Sequence, residues 1–180
     1  MTSAEIAAVV AGVRRIIRNV PDFPKPGVVF KDITPLLADP LLFRGVTDAI
    51  ATLFGGEKIS HVVAVESRGF IFGAPVAQAL GAAFVPVRKP GKLPAATVRE
   101  DYALEYGTDA LEMHADALGP AARVLVVDDV LATGGTAAAT CRLVERASGR
   151  VVGCAFVLEI GPLNGRAPLD GRRVETLVAY

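Results

Sequence analysis

Two neighbouring carboxylates precede a turn rich in glycine and threonine. Asp128 and Asp129 follow the apolar run 123–127, and the sequence Ala-Thr-Gly-Gly-Thr occupies residues 132–136. Glycines let backbone N–H groups approach a phosphate, threonine hydroxyls add donors, and the start of the next helix adds a favourable dipole. Carboxylates beside such a turn accept hydrogen bonds from sugar hydroxyls. The pattern predicts a site for vicinal hydroxyls next to a monophosphate, as in a ribose 5-phosphate.

Two other phosphate-binding motifs do not fit this run. The nucleotide P-loop requires a lysine directly after its second glycine, whereas Thr136 follows Gly135. The dinucleotide fingerprint requires a glycine spacing that the run lacks. A purely structural alternative, in which the acids only support the helix N-terminus, explains a single acid better than the complete arrangement of strand, acid pair and turn.

The elements around these residues alternate between apolar strands and helices, which predicts an α/β fold with a parallel sheet covered on both faces. Helices are predicted at 40–54, from the end of the loop 66–69 to Leu80, and from about Gly135 to Ala147. The predicted strands are residues 61–65, 83–87, 123–127, 151–158 and 174–178. Ligands of such sheets bind at the carboxyl ends of the strands. The acid pair and the segment 66–69 both follow strands at that edge.

The first residues predict an amphipathic helix that opens at Ser3 and Glu5 and closes at Asn19. The acidic Glu5 and the lack of a basic region before an apolar block argue against a secretion signal. No apolar run reaches the roughly 20 residues that span a bilayer. We therefore expect a cytoplasmic protein without a membrane partner.

Composition limits the classes of partner. The 180 residues suit one domain (1–180), and equal numbers of basic and acidic residues, 19 each, give no basic face for nucleic acid. Cys141 and Cys154 have no metal-ligand spacing and are expected to be reduced, apolar-like thiols. The chain is predicted to bind small molecules.

The segment 88–114 interrupts the alternation of strands and helices. It is rich in cations, glycine and proline and has little core periodicity. A long connection of this kind is typically a functional lid or a disordered segment. Alternating apolar residues within it predict a β-hairpin arm.

The run VVDDVLATGGT (126–136) resembles the phosphoribosyl pyrophosphate signature of the type I phosphoribosyltransferases. Four further segments resemble the adenine phosphoribosyltransferases of that family, in order and spacing, so the similarity covers essentially the whole chain. They are PDFPKPGVVFKDITPLL (21–37), ESRGFIFG (66–73), RKPGKLP (88–94) and LEYG (104–107). The resemblance implies the type I fold: a central, mostly parallel sheet flanked by helices, a small hood with the N-terminal helix at 1–37, and a flexible hairpin lid at about 88–114.

The resemblance assigns the phosphoribosyl pyrophosphate site. Asp128 and Asp129 would hold the ribose hydroxyls, and Ala132, Thr133, Gly134, Gly135 and Thr136 would bind the 5-phosphate. Pyrophosphate would contact Ser67, Arg68, Arg88, Lys89 and Lys92, where a guanidinium can grip phosphate with two donors. Mg²⁺ would be carried mainly by substrate oxygens, so no protein ligand is expected for the metal. The family often has a non-proline cis peptide in the loop at Glu66-Ser67, and we expect one there.

The resemblance also assigns the base and the proton transfer. Phe30 would stack on one face of adenine, Ile160 would cover the other, and backbone groups of Val29 and Lys31 would read its edge. Glu105 would be the general acid/base on the purine ring, and Tyr106 would lie over the reaction centre. The family also implies a homodimer, with loops near residue 88 crossing toward the partner. The expected reaction, in purine salvage, converts adenine and phosphoribosyl pyrophosphate to AMP and pyrophosphate.

Two alternatives share much of this pattern. A transferase for another purine would keep the phosphoribosyl motif and change the base pocket, but the 21–37 segment argues against it. A non-catalytic phosphoribosyl pyrophosphate sensor that binds nucleic acid should show a basic surface or an added module, and neither occurs in the sequence.

Overall fold

The computed structural model describes residues 1–103 and 108–180. These residues form two compact units, Met1–Thr52 and Leu53–Tyr180. Each unit is considered by itself below. None of the helices in the described ranges has the length and apolar character needed to cross a membrane.

The first unit is built from helices and a two-stranded ribbon. Its elements are α1 (Ser3–Ile16), β1 (Arg18–Pro21), β2 (Val29–Asp32), α2 (Thr34–Leu37) and most of α3 (Pro40–Phe54). Thr2 and Glu5 form a capping box at the start of α1, with Thr2 N donating to the Glu5 carboxylate over 2.6 Å. A Cβ on Gly12 would lie 2.5 Å from Leu42 Cδ2, so α1 and α3 approach closely.

The prediction that the first helix continues to Asn19 is wrong. The helix ends at Ile16, and Arg18–Pro21 pairs antiparallel with Val29–Asp32. Helical geometry is disfavoured directly before a proline, and Pro21 has no N–H to donate along a helix. The chain therefore leaves the helix and continues as a strand.

The second unit contains a five-stranded sheet and a separate hairpin. Its elements are β3 (His61–Val65), α4 (Arg68–Leu80), β4 (Ala83–Val87), β5 (Thr97–Ala103), β6 (Thr108–His114), β7 (Arg123–Leu131), α5 (Gly135–Arg146), β8 (Arg150–Glu159) and β9 (Val174–Ala179). The sheet order is β4-β3-β7-β8-β9, with every neighbouring pair parallel. The predicted α/β class and parallel sheet are confirmed.

The strand that carries the acid pair is longer than the predicted 123–127. Its pairing with β3 stops at Ala64↔Val127, but its pairing with β8 continues to Leu131↔Glu159. Asp128 and Asp129 thus lie inside β7, just beyond the end of the β3 ladder. Because β3 stops first, one side of β7 is left unpaired at the acids.

The hairpin arm predicted within 88–114 is confirmed. Strands β5 and β6 pair antiparallel from Thr97↔His114 to Ala103↔Thr108. Tyr102, Leu111 and Met113 of the hairpin belong to the same buried apolar cluster as the sheet and α5. The inner part of the hairpin is therefore anchored in the core, and only residues 104–107 lie outside the described ranges.

Candidate active site

The two predicted ribose-binding acids lie at the carboxyl edge of the sheet and differ in their surroundings. Asp129 is 4% exposed, and its Oδ2 lies 2.7 Å from Arg68 Nε. Asp128 Oδ1 accepts from the Asp129 N–H over 2.9 Å. Burial raises the pKa of Asp128 well above its usual range, and the neighbouring charge of Asp129 raises it further. The two carboxyls offer several acceptor oxygens to vicinal hydroxyls.

Gly69 allows α4 to begin against the acid pair. A Cβ at this position would lie 2.7 Å from Asp128 Oδ1 and 3.3 Å from the Val127 carbonyl oxygen. A larger residue would push the first turn of α4 away from the strand. The glycine therefore keeps Arg68, at the start of α4, within reach of Asp129.

Residues 132–136, called the cradle below, comprise the connection between β7 and α5 and the first two residues of α5. Gly134 adopts φ 80°, and a Cβ there would lie 2.1 Å from the Gly165 carbonyl oxygen. The helix begins at Gly135, so the first N–H groups of α5 have no partner within the helix. Those donors, the Thr136 hydroxyl and the helix dipole together suit a phosphate dianion.

Ser67 and Arg68 follow β3 beside the acid pair. The Glu66-Ser67 peptide is cis, which confirms the expectation from the sequence. Arg68 is the first residue of α4, and its side chain is 46% exposed. One edge of its guanidinium contacts Asp129, and its exposure leaves room for a ligand beside the acids.

The carboxylate of Glu66 holds two of the three cations predicted in the segment 88–92. Its Oε2 accepts from Arg88 Nε over 2.9 Å, and its Oε1 lies 3.3 Å from Lys92 Nζ. Oε1 also accepts from the Lys89 N–H over 2.7 Å. Burial opposes the charge of Glu66, but these donors outweigh it and lower the pKa of Glu66 below its usual value. Arg88 and Lys92 are thus gathered at the end of β3, next to Ser67.

Lys89 faces a different carboxylate. Its Nζ contacts Asp109 on β6 and lies 3.2 Å from the Tyr102 hydroxyl on β5. Burial disfavours the ammonium, but Asp109 and Tyr102 raise the pKa of Lys89 above its usual value. The three cations predicted from one short segment therefore divide between two acids.

The predicted base-binding segment lies in the first unit. Val29, Phe30 and Lys31 form most of β2, where Val29 is 54% exposed and Phe30 is half-buried. The Phe30 ring meets Phe23 edge to face, with centroids 5.2 Å apart. Lys31 Nζ donates to Asn19 Oδ1 over 2.7 Å, so its charge is engaged within the ribbon.

Ile160 directly follows β8, the strand that pairs with β7. Its N–H donates to the Leu131 carbonyl over 2.9 Å, one residue before Ala132. The second unit thus brings Ile160, the acid pair, Ser67, Arg68 and the cradle to one edge of the sheet. Glu105 and Tyr106 lie outside the described residues, so their predicted roles stay predictions.

Three residues at the site were not singled out from the sequence. They are Glu66, Gly165 and Asp109. Each acts on a residue distant in the chain, and no local spacing indicates such a contact. A glycine after an asparagine, as at Gly165, signals a turn but does not show what the turn touches.

The sequence model of the family described as "Phosphoribosyl transferase domain" matches residues 32–171. An adenine phosphoribosyltransferase of Anaeromyxobacter dehalogenans is 59% identical over 168 residues, 93% of this chain and 98% of the relative. The solved adenine phosphoribosyltransferase of Thermoanaerobacter pseudethanolicus superposes with a TM-score of 0.92 at 48% identity, over 95% of this chain and 99% of that one. The enzyme of Saccharomyces cerevisiae, solved with adenine and an imino-altritol bisphosphate, gives 0.91 at 39% identity, over 95% and 99%.

The parallel sheet brings the acid pair and the glycine-rich cradle together at the ends of its strands. The family model matches most of the chain. The chain therefore belongs to the phosphoribosyltransferase family. Within it, the chain belongs to the adenine phosphoribosyltransferases. The resemblance seen in the sequence is confirmed.

Proposed function

We propose that the chain transfers the 5-phosphoribosyl group from phosphoribosyl pyrophosphate to adenine, giving AMP and pyrophosphate. The observation that carries the proposal is the acid pair beside the cradle in a chain 59% identical to a named adenine phosphoribosyltransferase. The purine ring nitrogen forms a bond to the anomeric carbon, the bond from that carbon to pyrophosphate breaks, and the purine loses a proton. This is the class of chemistry that a phosphate cradle, sugar-binding acids and cations can serve together.

Each residue near the sheet edge has a place in this reaction. The cradle binds the 5-phosphate, and Asp128 and Asp129 hold the ribose hydroxyls, so that the anomeric carbon is oriented. Arg68, Arg88 and Lys92, with Ser67 and Lys89, face the pyrophosphate, whose leaving requires neutralisation of charge. Glu105 takes the purine proton, with Tyr106 over the reaction centre. The contacts of Val29, Phe30, Lys31 and Ile160 with the base rest on the family resemblance.

The proposal includes Mg²⁺ carried mainly by oxygens of the substrate, without a protein ligand. Mg²⁺ retains most of its ligands from water and phosphate. In the described residues no group of three or more His, Cys, Asp or Glu is placed to hold a metal ion. When bound with the substrate, Mg²⁺ would neutralise charge on the departing pyrophosphate. On the family resemblance, we also propose that the protein is a single-domain, cytoplasmic homodimer that acts in purine salvage. We expect it to have no nucleic acid or membrane partners.

The test measures pyrophosphate release from phosphoribosyl pyrophosphate and Mg²⁺ with adenine, hypoxanthine, guanine or no base. We expect release with adenine alone, loss of release in Asp128→Asn, and release slowed about 10²–10⁴-fold in Glu105→Ala. Asp101→Ala is the matched control, because it removes a hairpin carboxylate that is 66% exposed, pairs with Arg99 and has no proposed role in the reaction.

Other results would select the alternatives. Release with another base would keep the phosphoribosyl site and discard the adenine assignment. No release with any base, despite binding of phosphoribosyl pyrophosphate, would favour a non-catalytic sensor.

A further inference from the structure

A chain of hydrogen bonds joins the cradle to the base of the hairpin. Thr136 Oγ1 donates to the Tyr102 hydroxyl over 3.4 Å, and Tyr102 in turn donates to Asp109 Oδ2 over 3.3 Å. Lys89 Nζ donates to the same hydroxyl over 3.2 Å and contacts the Asp109 carboxylate. Tyr102 and Asp109 are direct partners across β5 and β6. None of these contacts follows from the chemistry assigned to the site so far.

The hydroxyl of Tyr102 is fully used in this arrangement. A phenol has one donor and can accept two hydrogen bonds, and Asp109, Thr136 and Lys89 take up all three. Tyr102 is 6% exposed and belongs to the buried apolar cluster, so water has little access to replace a lost partner. A buried hydroxyl with complete partners is positioned more firmly than one facing solvent.

Binding of a phosphate in the cradle changes what Thr136 can do. Its hydroxyl carries one proton, and donating that proton to phosphate ends its donation to Tyr102. The Tyr102 hydroxyl can then donate to Thr136 Oγ1 instead of Asp109, while Asp109 keeps Lys89 as its partner. Successive hydrogen bonds in one direction polarise each other, so this chain makes Thr136 a stronger donor to phosphate. The Lys89 ammonium, which donates to the Tyr102 oxygen, also favours donation by the Tyr102 hydroxyl to Thr136.

We propose that Tyr102 is a positioning residue for 5-phosphate binding, which acts on the ligand only through the Thr136 hydroxyl. The inference deepens the function proposed above and rests on the cradle being the 5-phosphate site. Tyr102 does not touch the ligand itself. Its role is to keep the Thr136 hydroxyl oriented and to strengthen its donation once phosphate is bound.

Calorimetry of ribose 5-phosphate binding tests the proposal, because it requires neither a purine base nor catalysis. Tyr102→Phe keeps the ring in the core and removes only the hydroxyl, and we expect it to raise the Kd about threefold to tenfold. Tyr180→Phe removes the same group at the C-terminal residue and is expected to leave the Kd unchanged. Asp109→Asn leaves Tyr102 in place and weakens the competition for its proton, so it should bind no more weakly than the wild type.

A double-mutant cycle separates positioning from a general structural effect. Thr136→Val should raise the Kd at least as much as Tyr102→Phe, and adding Tyr102→Phe to Thr136→Val should have no further effect. An unchanged Kd in Tyr102→Phe, or an equal penalty with and without the Thr136 hydroxyl, would overturn the proposal. If the variants bind ribose 5-phosphate with the expected pattern but the wild-type protein forms no AMP, only the proposed adenine reaction is contradicted. Wild-type protein that does not bind ribose 5-phosphate would overturn both.

Discussion

The cradle and the segment 88–92 both offer donors to phosphates in the proposed reaction, yet they are built differently. The cradle is made of backbone and small residues, and Gly134 is fixed against the carbonyl of Gly165. The segment 88–92 offers charged side chains, each already held by an acid: Arg88 and Lys92 by Glu66, and Lys89 by Asp109. One site is preformed, and the other is paired with internal partners.

The difference matches what each site must do. The 5-phosphate is present in both phosphoribosyl pyrophosphate and AMP, so a rigid backbone cradle serves substrate and product alike. Pyrophosphate must arrive and leave. Cations that can return to Glu66 and Asp109 do not remain as unpaired charges when it has gone, and pairing of this kind limits how tightly the leaving group is held.

The largest effect should come from disturbing the rigid site. Gly134→Ala places a methyl group 2.1 Å from the Gly165 carbonyl oxygen, at φ 80°. We expect the free energy of unfolding to fall by about 2–4 kcal/mol and ribose 5-phosphate binding to be lost. Denaturant unfolding and calorimetry measure the two effects.

Gly171→Ala is the matched control for this prediction. Gly171 has φ 75°, but nothing lies within 4 Å of an added Cβ. Only backbone strain applies there, at about 1 kcal/mol. Equal losses of stability in the two variants would mean that the contact with Gly165 does not constrain the cradle.

A smaller effect is expected where a side chain completes the exchangeable site. Arg68→Lys replaces a planar group, whose Nε lies 2.7 Å from Asp129, with a point charge that cannot bind phosphate through two parallel donors. The KM for phosphoribosyl pyrophosphate should rise about tenfold. Arg44→Lys should leave the KM unchanged. Arg44 forms a surface pair with Asp48, and its side chain is 82% exposed. A KM in Arg68→Lys equal to the wild type would remove Arg68 from the pyrophosphate site.

The same contrast separates what the sequence could predict from what it could not. The acid pair and the cradle are contiguous, so their strand, turn and helix could be read from local spacing. The division of the cations between Glu66 and Asp109 depends on the pairing of β3 with β4 and on the backbone bridge between Arg88 and Glu112 of β6, which join distant residues. The end of α1 differs from the predicted one for a related reason, since Arg18–Pro21 is held by a partner strand. Local patterns predict elements, whereas register decides which side chains meet.

The smallest predicted effect concerns the pairing at Glu66. The pKa of Glu66 lies below its ordinary value of 4.5 in the folded chain, because the Lys89 N–H, Arg88 and Lys92 outweigh the cost of burial. A carboxyl with a lowered folded-state pKa stabilises the fold above its unfolded pKa, and that contribution is lost as the pH falls through the folded value. Glu66→Gln should therefore lower the free energy of unfolding by about 1 kcal/mol near neutral pH. The difference from the wild type should shrink at acid pH.

Unfolding in denaturant at a series of pH values measures this prediction against Glu145→Gln. Glu145 pairs with Arg172 at 2.6 Å, but its side chain is 44% exposed, and such surface pairs contribute about 0–1 kcal/mol. If Glu66→Gln costs no more than Glu145→Gln near neutral pH, Glu66 does not hold Arg88 and Lys92 in the ligand-free protein. If its cost persists unchanged into acid, the effect comes from packing and not from charge. Either result would remove the distinction between a preformed cradle and cations that pair with internal acids when no pyrophosphate is bound.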